Sequence, residues 1–403
     1  MYKYPILFSL LILVKTETWS QKSLYCFSEE ILKEASLDKD NQDILWKLSF
    51  NGNYEELLKS WNENGYTDTK PILKISSQNK LRPTDAKSEI LKKTKYEKIV
   101  IINEAHHIPL HRVFTESLLQ EMYNQGFRYF GTEGIQCREM EKRRNQSFDT
   151  LYNNRKYPSI RMGYAINEPQ YGNLIRKALK IGYTVFGYDT LGSRTHVIRE
   201  QKQASNKKKV LDRDSSVRIL IHCGYGHLCE KIASDTNFRM MGEYLSKTTR
   251  INPLTIDQQK FTEDSHIDGK GKSEKEFKGD KTYVLIDEKG VIYNDNYSKE
   301  DYLQDIIVYH PTTEYINGRP NWLYRDGTWY LKPIATNSIK IPYPILAMAY
   351  NFNEDLADAV PVDIIEILSP TENKGFVLPV GKYKILVKNK SGETQLTTLK
   401  VKK

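Results

Sequence analysis

The chain has 403 residues, with 60 Lys and Arg against 51 Asp and Glu, for a formal net charge of +9. A hydrophobic content of 39% is enough for a buried core, and 22 Gly with 15 Pro exclude a collagen-like or low-complexity chain. Basic and acidic residues are interleaved, which describes a mixed solvated surface and excludes a nucleic-acid-binding stripe.

The length predicts two or three units at roughly 150 residues each. Residues 1–20 read as a secretory signal peptide: Lys3, then the apolar run Pro5 to Val14, with cleavage expected near Ser20 after Thr18-Trp19-Ser20. The run is well short of the roughly 20 residues of a membrane span. The mature chain is therefore expected to be exported, periplasmic or secreted, with no integral span. In an oxidising compartment Cys26, Cys137, Cys223 and Cys229 admit three pairings. Cys223 and Cys229 are close enough in sequence to bridge, and free buried thiols are the alternative.

Residues 21–95 read as a helical lead-in and a polar connector. Ile31, Leu32, Leu45, Leu48, Leu57, Leu58 and Trp61 recur at helical intervals, broken at Asn51-Gly52-Asn53, and the connector carries Pro71 and Pro83. Residues 96–260 alternate strand and helix. Lys98 to Ile102 is a β-branched run fit for a buried parallel strand, and a helix follows with Pro109 in its first turn and Gly126 at its end. Phe127 to Gly131 is a second strand, Tyr171 to Lys180 a helix, and Tyr183 to Tyr188 a third strand. Residues 196 to 211 form a long polar helix, Arg218 to Ile221 a fourth strand, and Gly242 to Lys247 a closing helix. This order predicts an α/β fold: a mainly parallel sheet with helices on both faces. Residues 261–280 read as a charged loop. Residues 281–403 are β-rich, with a hairpin around Lys289-Gly290 and a terminal β element from Tyr383 to Val401.

Chemistry collects at the carboxyl ends of the strands, where open parallel sheets bind ligands. The first strand runs into Asn103-Glu104-Ala105-His106-His107, with His111-Arg112 a turn later. The second ends in Thr132-Glu133-Gly134, the third in Tyr188-Asp189-Thr190, and the fourth in His222-Cys223-Gly224-Tyr225-Gly226-His227. Five of the eight histidines fall in two of these segments. Carboxylates and imidazoles converging from strand ends suit a divalent ion with an open position for water, and Glu104, His106, Glu133 and His227 are the expected ligands. Zn, Mn, Co or Fe would serve. A metal-free acid/base site, with Glu104 or Glu133 tuned by burial, is the other reading. The candidate catalytic set is Glu104, His106, His107, Arg112, Glu133, His222 and His227. Asp189 is expected to ligate or cap, and Arg199 and Glu200 to lie on a solvated helix face.

The runs Asn103-Glu104-Ala105-His106-His107 with Arg112, Gly131-Thr132-Glu133 and Gly224-Tyr225-Gly226-His227 resemble the erythromycin esterase, ChaN and TraB/Tiki group. The resemblance covers about residues 96 to 260. It implies an exported hydrolase acting on an ester or amide bond of a small molecule or peptide, carried by Glu104, His106, Glu133 and His227. Its ChaN-like branch implies the alternative of a non-catalytic haem- or metal-binding protein. Asn103 stands where the group has Gly, and His222 and His227 are five apart, wider than the esterases' late pair, so macrolide hydrolysis does not carry over. A scaffold with an inert site is a third reading, to which the 27 Tyr contribute.

Overall fold

A computed structural model describes residues 24–39, 41–64, 81–136, 153–189, 195–231, 238–261, 263, 281–294 and 303–403. The signal-peptide reading, Cys137 and most of the charged loop at 261–280 lie outside the described residues. The lead-in is helical as expected: α1 (Ser28–Leu37), α2 (Gln42–Phe50) and α3 (Tyr54–Glu63). The connector is not merely polar chain. It holds β1 (Arg82–Asp85) and α4 (Ala86–Thr94), with Asp85 capping α4 by accepting from the Ser88 N–H at 2.7 Å. Pro83 is accommodated because β1 makes only a two-stranded antiparallel pair, with β7 (Tyr283–Ile286), where one missing donor is tolerated.

The core then runs β2 (Ile99–Glu104), α5 (Pro109–Asn124), β3 (Phe127–Gln136), α6 (Pro169–Ile181), β4 (Thr184–Asp189), α7 (His196–Arg213), β5 (Arg218–Gly224), α8 (Met241–Thr249) and β6 (Leu254–Asp257). Pro169 opens α6, and Gly182 ends it at φ 113, a conformation that a β-carbon would strain. With β8 (Ile306–Ile307), five of these strands and β8 make a six-stranded parallel sheet in the order β4-β3-β5-β2-β6-β8. The fold class is therefore α/β, and the sheet draws its sixth strand from beyond residue 260. Alternate residues of β2 face opposite layers. Val100 and Ile102 pack with α4, α5 and α6, while Ile99 and Ile101 pack with α7 and α8. Both faces are covered, which is why the strand reads as an unbroken apolar run.

After the core, β9 (Tyr315–Ile316) and β10 (Arg319–Pro320) pair with each other, and β11 (Trp329–Pro333) pairs antiparallel with β14 (Gly375–Pro379). A four-stranded antiparallel sheet follows in the order β13 (Asp363–Ile367), β12 (Ile345–Asn351), β15 (Gly381–Asn389) and β16 (Thr394–Val401). The β11–β14 ribbon packs on it through Phe376 and Leu378. The sheet's other side receives the start of the chain: Tyr25, Phe27, Trp46 and Phe50 are buried with Leu346, Met348 and Tyr350. No helix among the described residues is long and apolar enough to cross a membrane. Cys26, Cys223 and Cys229 are thiols, so the bridge between Cys223 and Cys229 is not formed, and burial pushes both of those thiols up in pKa.

Candidate functional site

The three middle strands β3, β5 and β2 are neighbours, so their carboxyl ends bring Glu133, His222 to Gly224, and Glu104 side by side. Two units stand there, each centred on one glutamate that meets an arginine and histidine.

The first centres on Glu104, which is 1% exposed. Arg112, one turn into α5, forks onto it, donating from Nε to Oε2 at 2.7 Å and from Nη2 to Oε1 at 2.8 Å. His222 Nε2 meets Oε2 at 2.8 Å and His106 Nδ1 meets Oε1 at 2.8 Å. Burial alone would raise the Glu104 pKa, but Arg112, His222 and His106 together hold it well below the usual carboxylate range. An ionised carboxylate only accepts, so both imidazole nitrogens facing it carry hydrogen, and Nε2 of His106 points away from Glu104. Arg112 also donates to Glu168 Oε2 at 2.9 Å and to the His106 carbonyl at 2.8 Å. Its guanidinium lies over the Tyr171 ring at 4.9 Å. Glu168 caps α6, accepting from the Tyr171 N–H at 2.8 Å.

The second unit centres on Glu133. Its Oε2 accepts from the Gly224 N–H at 2.6 Å, and its Oε1 accepts from Arg199 Nη2 and lies 3.4 Å from His227 Nε2. Arg199 forks onto Asp189, with Nε and Nη2 each at 3.0 Å. His227 Nδ1 meets Glu200 at 2.7 Å, and Glu200 also accepts from the Met241 N–H, capping α8. Burial works against a charge on His227, yet Glu133 and Glu200 push its pKa up to about 10. It is therefore an imidazolium at neutral pH. Burial raises Glu133 and His227 lowers it, with the net result well below the usual range.

Gly224 is the hinge between the units. A β-carbon there would collide with the His106 ring, sit 2.8 Å from His106 Nε2 and 3.2 Å from Glu133 Oε2. Glycine is what lets the His106 ring and the Glu133 carboxylate approach across the strand end. Tyr225 follows at φ 42, a left-handed conformation rare for a bulky residue, and its ring packs edge-on against His106 at 4.8 Å.

The structure thus brings together Glu104, His106, Arg112, Glu133, His222 and His227. His107 faces away and stacks on Trp61 at 3.9 Å. His111 is structural: its Nδ1 accepts from the Ala105 N–H at 3.0 Å, and burial, with His310 beside it, keeps it neutral. Asn103 ties β2 to β6, donating to Asp257 at 2.8 Å and accepting from the Gln258 N–H at 2.7 Å.

The four expected ligands, Glu104, His106, Glu133 and His227, stand at these strand ends, each engaged with protein partners. Among the described residues no three His, Cys, Asp or Glu side chains are grouped to hold an ion. The oxygens of Glu104 and Glu133 are engaged by arginines, imidazoles and a backbone N–H. Nor is either glutamate raised by burial, because the neighbouring cations outweigh desolvation.

Four contributors escaped sequence reasoning. Arg199 and Glu200 sit on the polar helix α7, but that helix buries a stripe at Glu200, Gln203, Ala204, Lys207 and Leu211. The 3–4 residue spacing of that stripe was the available signal. Glu168 follows Asn167 and precedes Pro169, a helix-start signature with no sign of its reach to Arg112. Trp46, on α2, stacks on His106 at 5.2 Å and 17°, roofing that imidazole from a distant part of the chain.

No family model matches the chain, and no curated protein matches it. Among solved structures, the type III effector HopBA1 aligns with a TM-score of 0.32 and 12% identity, over 59% of this chain and 99% of that one. RRSP, a MARTX toxin effector domain from Vibrio vulnificus CMCP6, aligns with a TM-score of 0.31 and 13% identity, over 57% of this chain and 44% of that one. A structure of bacterial protein toxins aligns with a TM-score of 0.31 and 12% identity, over 57% of this chain and 44% of that one.

Proposed function

We propose that the protein is a metal-independent acid/base hydrolase of an ester or amide bond, with His106 as general base and His227 as general acid. The observation that carries this reading is the pairing across Gly224 of the His106 ring, oriented by an ionised Glu104, with an imidazolium charged by Glu133 and Glu200. General acid and base catalysis needs two titratable groups within reach of one reacting centre, and these two histidines flank Gly224.

In the proposed reaction His106 Nε2 takes a proton from water as the water oxygen bonds to the carbonyl carbon. Arg199 and His227 face the oxygen on which negative charge develops. His227 then gives its proton to the leaving oxygen or nitrogen as that bond breaks, and proton exchange with solvent resets both rings. Glu104 and Arg112 touch no substrate. They fix the tautomer and the tilt of His106, as the carboxylate does in Ser-His-Asp sites. The resemblance of the Glu104–His106 and Gly224–His227 motifs to the esterase-like group agrees with this assignment.

The test is a screen of ester and amide substrates with the purified chain in the presence of a chelator, followed by the variants His106→Ala and His227→Ala. The expected result is turnover that survives chelation and falls about 10²–10⁴-fold in kcat/KM in each variant, the range of general acid/base catalysis. Full activity in both variants, or activity abolished by the chelator and restored by one divalent ion, would overturn the reading.

A further inference from the structure

Outside the strand-end site, an open groove of about 740 Å³ runs between the outer face of α5 and residues 321–329. Its volume lies within the roughly 300–1,000 Å³ of small-ligand sites. None of the catalytic groups lines it. Phe114, Trp322, Tyr324 and Trp329 supply aromatic surface, and Ser117, Gln120, Asn321 and Thr328 supply hydroxyls and amides. Acidic and basic groups balance along it. Lys87 pairs with Glu121 at 2.9 Å and Arg325 with Glu116 at 3.1 Å, which leaves no net field for a polyanion or a polycation.

The aromatic groups are held in place before any ligand arrives. Trp322 Nε1 donates to Thr313 Oγ1 at 3.1 Å, and the Arg325 guanidinium covers the Trp329 ring at 4.2 Å. The rim is a turn of three successive left-handed residues, Arg325, Asp326 and Gly327, at φ 48, 52 and 79. Two of these are not glycine, and strain of this kind persists where surrounding contacts fix it. Two buried polar atoms of lining residues, Arg325 Nε and Glu121 Oε2, have no hydrogen-bond partner among the described residues. One is a donor and the other an acceptor.

We infer that this groove is a carbohydrate-binding site for a neutral oligosaccharide. A pyranose ring has an apolar C–H face that stacks on fixed indole and phenol rings. Its hydroxyls both give and accept hydrogen bonds, matching a wall of amides, hydroxyls and paired charges. Nucleotides and phosphoesters would need an excess of cationic groups, which the groove does not offer.

The test titrates the full chain with maltotriose, cellotriose and triacetylchitotriose, read by tryptophan fluorescence and by calorimetry. It is run on wild type, Trp322→Ala, Ser117→Trp and His106→Ala. Ser117 is on the exposed face of α5, so a tryptophan there blocks the groove without touching the core. The expected result is saturable binding of at least one trisaccharide, weakened at least tenfold in Trp322→Ala and in Ser117→Trp, and unchanged in His106→Ala. No saturable binding to any of the three would overturn the inference. So would binding that both groove variants retain, or binding lost in His106→Ala, which would place the sugar at the strand ends. Because the readout is binding, failure here leaves the hydrolase reading untouched, and the reverse also holds.

Discussion

The two carboxylate units at the strand ends use the same parts to opposite effect. Glu104 and Glu133 each end or cross a core strand, each meets an arginine, and each faces a histidine. Glu104 is sealed and saturated: four hydrogen bonds converge on it, and the one partner that reaches the cleft, His106, has a side chain 29% exposed. Glu133 shares its arginine with Asp189, and Glu200 joins it around His227, so three carboxylates surround two cations at the mouth. Glu104 is fully engaged by one guanidinium and two imidazoles, whereas Glu133 and Glu200 together enclose a single imidazole and raise its pKa. The contrast comes from how the partners are arranged, not from residue type.

The largest expected effect breaks the sealed unit. Arg112→Met leaves Glu104 and Glu168 buried without their cation, which should cost about 3–5 kcal/mol of stability in urea denaturation. Arg199→Met, at a side chain 30% exposed, should cost about 1 kcal/mol or less while slowing turnover. Equal losses from the two would erase the distinction. Next, Gly224→Ala drives a methyl group into the space of His106, so turnover should fall at least 100-fold while far-UV dichroism keeps the native sheet signal.

The charge on His227 gives a sharper comparison. Its folded pKa is above the unfolded value of about 6.5, so its ion pairs contribute fully below that pH and are lost as pH rises through about 10. Activity should likewise decline on the alkaline side near pH 10. Glu200→Gln removes one of the two carboxylates, and should move both the alkaline limb and the His227 ring titration, followed by NMR, to lower pH. An unmoved limb would show that another group sets it. The smallest expected effect is at His111: His111→Gln, outside both units, should leave kcat/KM within about twofold and change only the melting temperature.

Much of the core was legible because parallel strands buried on both faces read as plain apolar runs, as Ile99 to Ile102 does. The strand-end positions of Glu104, Glu133, His222 and His227 followed from that reading. Their pairing did not. Whether a carboxylate binds a metal or an arginine depends on where Arg112 and Arg199 reach, and those side chains come from helices whose facing is set by packing. The connector misled because Pro83 and its charged neighbours look like loop, yet one antiparallel partner, β7, is enough to order them. Trp46 was invisible in principle: nothing local records that α2 lies over a histidine sixty positions on.

That remoteness carries a consequence for how the molecule comes into being. Tyr25, Phe27, Trp46 and Phe50 are buried against Leu346, Met348 and Tyr350, about 300 residues later in synthesis, or roughly 15–60 s at 5–20 residues per second. Through that interval the α/β core can close while the helix that roofs His106 still has no floor to rest on. The His106 ring gains its settled indole cover only once the last sheet is in place, so the surroundings of this strand-end histidine are completed by the final stretch of the chain.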